Sequence, residues 1–214
     1  TFIRSFDRGL SYTEPVATLP TPTWGTLAVG TEGELYIAGN ANYDYDRFVV
    51  KRSDDASDPG SPPNFDTFFV DLGGAQGYGG SSGSSPNPVG LLGQVWIASD
   101  HSDGPNRGNL YLASSVNPPG ADPHDVHFAR STDGGETWSE PLTIHPDGRN
   151  VWQWFATMSI APDGRLDVVW IESLEPIPAN VGELYYTRSH DGGLTWAQPV
   201  AITPPFDSWV GWPQ

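Results

Sequence analysis

The chain has 214 residues, 26 acidic and 10 basic side chains, a formal charge of −16, no cysteine, 25 Gly and 21 Pro. That length suits one domain with a substantial core, and a breaker at about every fifth residue favours many short strands over long helices. The acidic field excludes nucleic acid as a partner, the missing cysteines exclude disulfides and zinc–thiolate sites, and no run of about 18 apolar residues is present to insert into a membrane.

In chain order, Thr1–Leu19 reads as the last two strands of a four-stranded unit, with the turn Ser5–Tyr12 (Ser-Phe-Asp-Arg-Gly-Leu-Ser-Tyr) between them. Alternating stretches then predict strands at Leu27–Gly30, Gly33–Ala38, Arg47–Arg52 and Thr67–Val70. A worn copy of the turn lies at Ser53-Asp54-Asp55, which leads through an insertion to Phe68. A Gly/Ser-rich inserted loop occupies residues 73–88. The second unit repeats the order with Val95–Ala98, Gly108–Ala113, Asp125–Arg130, the turn Ser131–Trp138 (Ser-Thr-Asp-Gly-Gly-Glu-Thr-Trp) and Leu142–Ile144. The third has Met158–Ala161, Arg165–Val169, Glu183–Arg188, the turn Ser189–Trp196 (Ser-His-Asp-Gly-Gly-Leu-Thr-Trp) and Val200–Ile202. Arg4, Arg52, Arg130 and Arg188 each precede the leading Ser. The turns start at 5, 53, 131 and 189, so their spacings are 48, 78 and 58. Four short strands per unit at such a period read as the blades of a propeller.

The pattern Ser-x-Asp-x-Gly-x-Thr-Trp resembles the Asp-box, or bacterial neuraminidase repeat, of sialidase-like β-propellers. The expected fold is all-β: a β-propeller of four-stranded antiparallel blades, one domain over 1–214. Three blades are complete and others partial, as a fragment of a roughly six-bladed ring would be. Missing blades or a partner chain are then needed to close it. In the family the boxes are structural and lie on the face away from the binding site. Asp7, Asp133 and Asp191 are accordingly expected to hold turns through backbone N–H groups, and Trp138 and Trp196 to cover the hairpins.

The binding face of such a propeller is built from the loops entering the innermost strands and those between the second and third strands: residues 20–25, 40–46, 73–91, 115–124, 145–155, 172–181 and 203–213. They carry Trp24, Tyr43, Tyr45, Trp152, Trp154, Trp209 and Trp212, on which sugar rings can stack. Asp44, Asp46, Arg47, Asp147, Arg149, Glu172 and Glu175 can bond sugar hydroxyls. From these the expected ligand-binding set is Asp44, Asp46, Arg47, Arg149, Trp152, Trp154, Glu172 and Trp209. Trp24, Leu92, Phe155 and Trp212 share one repeat position, which suggests inter-blade packing instead.

A sialidase-type site would need three arginines clamping a carboxylate, a Tyr–Glu nucleophile pair and an Asp acid/base. Of nine arginines, only Arg47 and Arg149 are free of box or opposite-face positions, one short of a clamp. No catalytic residue is assigned. No cofactor is expected, except that Asp100 and Asp103 gather oxygen donors as calcium sites do. His124-Asp125-x-His127 has the look of a zinc pair, but its place in a strand predicts solvent-facing side chains. The expected protein is exported, secreted or at a bacterial cell surface, and binds glycan or another extracellular polymer without catalysis. A sialidase-type hydrolase completed by further blades and a structural or protein-partner propeller are the rivals. The chain starts at Thr1 without Met, as a processed or partial chain would.

Overall fold

A computed structural model describes residues 1–41, 44–77, 85–87, 90–146 and 148–210. Among them there is no helix; every regular element is a strand. The first sheet takes β1 (Leu27–Val29), β2 (Leu35–Asn40), β3 (Phe48–Ser53) and β4 (Asp66–Val70) in the order β1-β2-β3-β4. The second repeats this with β5 (Trp96–Ser99), β6 (Leu110–Val116), β7 (Asp125–Ser131) and β8 (Leu142–Thr143). The third has β9 (Gln153–Ile160), β10 (Leu166–Ser173), β11 (Val181–Ser189) and β12 (Val200–Ala201), and β13 (Phe206–Asp207) adds to β11. All these pairings are antiparallel. These three sheets are blades I, II and III.

Each blade buries one face against its neighbour, because period-2 strands put apolar side chains on both faces. Tyr36, Phe48, Val50 and Val70 of blade I meet Val95, Ile97, Leu110 and Leu112 of blade II. Tyr111, Val126 and Phe128 of blade II meet Met158, Leu166, Val168 and Trp170 of blade III. The innermost strands are tied by repeated backbone bonds. Val95 N donates to Trp24 O, and Phe155 N to Leu92 O, each at 2.8 Å. Trp24 and Leu92 accept these bonds and Phe155 donates one, so all three lie at the blade junctions. Trp24 and Phe155 have φ of 48° and 53°, a left-handed bend that costs bulky residues energy and sets the entry angle of each inner strand. Gly25 follows the first bend because a Cβ there would lie 1.9 Å from Ala38 O.

The strand plan matches expectation, with three differences. Thr1–Leu19 contributes a single bridge, Phe2 with Val16, rather than two full strands; Pro15 and Pro20 lack the N–H groups a longer ladder needs. β9 starts at Gln153, and its pairing with β10 shifts between Val169 and Ile171. Trp154 therefore lies in a strand and is 1% exposed, which removes it from the expected binding set. Finally, His124 and His127 are buried, not solvent-facing, because β7 packs at the junction with blade I.

Candidate functional site

The boxes fold as their sequence dictates. The Ser131 hydroxyl donates to Asp133 (2.7 Å) and accepts from Gly135 N (2.9 Å), while Asp133 accepts from Thr137 N (3.0 Å). Ser189, Asp191, Gly193 and Thr195 repeat this at 2.8, 2.9 and 2.9 Å. Ser5, Asp7, Gly9 and Ser11 do so at 2.8, 2.7 and 2.9 Å. In the worn copy Ser53 donates to Asp55, and Asn64, after the insertion, takes the place of Thr by donating to it through its N–H (2.9 Å) and its amide (2.8 Å). The Asp7 carboxyl is held at about 2, chiefly by the Ser11 hydroxyl and N–H and the Ser5 hydroxyl. Asp191 is also held at about 2: partial burial pushes it up, and the bonds from Thr195 and Ser189 outweigh that. Such saturated carboxylates hold turns. Trp138 and Trp196 pack against the two inter-blade cores, as expected of box tryptophans.

Polar chemistry converges instead where β10 ends, between blades II and III. Glu172 is 1% exposed. Its carboxylate accepts from His145 Nδ1 (3.0 Å), from Trp170 Nε1 (3.2 Å) and from the Arg149 guanidinium. Because a carboxylate only accepts, the His145 proton facing it sits on Nδ1. His145 and Trp170 also pack on the Tyr185 ring, with centroids 6.0 and 5.9 Å away. The Tyr185 phenol is pushed up, first by burial and then by the charges of Glu172 and Glu183. The Arg149 side chain is 45% exposed, so a buried carboxylate anchors a guanidinium at the surface. Trp152, half-buried, begins the same strand end: its N–H donates to Ser173 Oγ (3.0 Å), and its ring lies 6.0 Å from His124. The structure thus brings Arg149 and Glu172 of the expected set together, with Trp152 tied to the adjacent Ser173, and adds His145, Trp170 and Tyr185. Sequence reading missed these three, since nothing local distinguishes Trp170 or Tyr185 from other strand aromatics.

The other expected residues lie elsewhere. Asp44 and Asp46 are exposed in the loop between β2 and β3, and Arg47 lies over the Phe69 ring, 4.0 Å from its centroid. Next to them Trp24 stacks on Tyr45 at 4.4 Å. Trp209 is half-buried and donates from Nε1 to Pro86 O (3.0 Å). Tyr43, Asp147 and Trp212 fall outside the described residues. Asp100 is fully buried and accepts from Ser102 N (2.8 Å), while the exposed Asp103 lies 4.0 Å from Arg107. Among the described residues no three His, Asp or Glu side chains converge as a metal site would need.

His124 and His127 play a packing part. His127 Nδ1 lies 2.6 Å from Leu72 O, so it carries the proton, and Nε2 accepts from Thr143 Oγ1 (3.1 Å). Burial pushes its imidazole down, with the Leu72 bond opposing. His124 is fully buried and is pushed down to about 3, chiefly by burial, with the Pro123 backbone opposing.

Residues 129–140 match the model of the BNR/Asp-box repeat. No curated protein matches the chain. Among solved structures the chain is similar to the α-L-arabinanase of Penicillium chrysogenum, complexed with arabinobiose: 18% identity, TM-score 0.54, covering 87% of this chain and 51% of that one. It is likewise similar to an α-L-arabinofuranosidase of Fusarium graminearum, with 14% identity, TM-score 0.53, and coverage of 89% and 50%. A looser likeness, TM-score 0.46 and 18% identity over 79% of this chain and 30% of that one, is to the intramolecular trans-sialidase of Ruminococcus gnavus. The chain thus has a β-propeller fold and carries a BNR/Asp-box repeat at residues 129–140, and it spans about half the length of the two arabinan-related structures.

Proposed function

We propose that this chain is part of an exported bacterial β-propeller that binds a glycan at the end of the junction between blades II and III, without performing chemistry on it. Further blades or a partner chain would complete the ring. The observation that carries the reading is the Arg149–Glu172–His145 cluster beside Trp152. A guanidinium pinned by a buried carboxylate is a pre-oriented donor fork for sugar oxygens, and an adjacent indole offers a stacking face. Glu172 itself is inaccessible and takes three donors, which suits a positioning role and not that of a nucleophile or proton donor. The acidic composition is compatible with export to a cell surface.

The test is calorimetric titration of the chain with arabinobiose and 3′-sialyllactose, with product release assayed in parallel. Binding without turnover, lost in Trp152→Ala, is the expected result; absence of binding by either sugar counts against the reading. A second reading, a glycoside hydrolase completed by further blades, is favoured by the fold shared with two arabinan-related enzymes. Turnover by the full-length gene product would establish it.

A further inference from the structure

A cleft of about 440 Å3 opens on the flank of the same junction, lined by His145, Pro146, Trp196, Gln198 and Pro199. Its volume lies in the range of small-molecule sites, roughly 300–1,000 Å3. The equivalent place between blades I and II shows why it is open. His127 of β7 and Tyr185 of β11 hold the same register position, opposite Thr143 and Ala201 of the outer strands. At junction I–II, His127 bonds Leu72 O, and a Cβ at Gly73 would lie 3.3 Å from His127 Nδ1 and 3.2 Å from the Pro141 ring, so the chain fills the space. At junction II–III, Tyr185 leans on His145 and Trp170, and the rim stands apart from the box strand.

The lining differs in charge as well. By register, Asp71 and Glu140 stand at junction I–II where His145 and Gln198 stand at junction II–III. Among the described residues the open cleft therefore has no carboxylate and no guanidinium in its lining. It offers two aromatic rings, two proline rings and one carboxamide that donates and accepts. The His145 ring is held by its bond to the buried Glu172, which fixes its orientation at the cleft wall. Ring faces set among polar groups fit a polyhydroxylated ring, and no carboxylate or guanidinium among the described lining residues is there to pair with the charge of an anionic sugar.

We infer that this flank cleft is a second sugar subsite, selective for neutral over anionic saccharides, and served by His145, Trp196 and Gln198. It rests on the glycan-binding reading above. The test is a titration of the full chain with arabinobiose, followed through the indole N–H signals in a nitrogen–proton NMR spectrum. The Trp196 signal should shift with saturation, and 3′-sialyllactose should leave it in place. Gln198→Ala, whose side chain is exposed, should keep the melting temperature and weaken the Trp196 response about 5–10-fold, the size of a lost pair of hydrogen bonds. If the Trp152 signal moves while Trp196 stays, the second subsite is wrong and the glycan reading stands. If neither moves with either sugar, both are wrong. A Trp196 response unchanged by Gln198→Ala, or equal for the two sugars, also overturns the assignment.

Discussion

The two junctions between blades are built from the same repeat and are used differently. Junction I–II is zipped: His127 bonds Leu72 O, Gln76 is 1% exposed and donates to Gly93 O (2.6 Å), and the chain closes over the rim. Junction II–III buries a charge instead. Glu172 stands at its end with His145, Trp170 and Arg149 around it, and a cleft opens alongside. The boxes pin both junctions equally, so the scaffold leaves the chemistry to residues outside the repeat. A repeated acidic turn is here a fastener, while the functional candidates occupy positions where the blades diverge.

Removing the buried charge should have the largest effect. Glu172→Ala leaves His145 and Arg149 without their carboxylate and should cost about 3–5 kcal/mol in urea unfolding, with Glu172→Gln milder because it still accepts a hydrogen bond. Equal losses for the two variants would mean that shape, not charge, matters there. Next comes the box of blade III. Gly193 has φ 82°, and a Cβ would lie 2.3 Å from the Phe128 ring, whereas Gly135, at φ 89°, has its nearest neighbour at 3.3 Å. Gly193→Ala should cost about 3 kcal/mol, through overpacking on top of backbone strain, and Gly135→Ala about 1–2 kcal/mol, mostly through strain with a mild press on Leu110. His127→Leu, which strips Leu72 O of its donor, should cost about 1–3 kcal/mol without altering sugar binding; a change in arabinobiose affinity would show that junction I–II also takes part.

A further effect, spread over several pH units, is a slope in pH. The folded His124 resists protonation down to about 3, while the unfolded imidazole takes a proton near its ordinary 6.5. The unfolded state therefore binds more protons in that window, and stability present above 6.5 is lost as the pH falls from 6.5 towards 3. Asp191, held at about 2 against an ordinary 3.8, adds a second loss as the pH falls from about 4 towards 2. His124→Leu should reduce the first slope, leaving the share of the buried His127, and leave the second; an unchanged slope between 4 and 6.5 would assign it to other groups.

Much of the architecture could be read from the chain itself. Box spacing and period-2 stretches located the blades, because turn chemistry and strand alternation are local. Even the interrupted box at Ser53 was recognisable, although only folding reveals that Asn64 replaces the missing Thr. The site was half legible. Arg149, Trp152 and Glu172 follow from the propeller plan, but burial does not: Trp154 counts as a loop residue until the shifted pairing of β9 draws it inside. His145, Trp170 and Tyr185 come from three separate segments and meet only through the packing of blade III on blade II. No motif in one segment announces such a meeting.

The most direct test is a crystal structure of the chain soaked with arabinobiose. Sugar density against Arg149 and Trp152, with the Glu172 carboxylate still bonded to His145 behind it, is the predicted result. Sugar seated at junction I–II with junction II–III empty would contradict the assignment of the site.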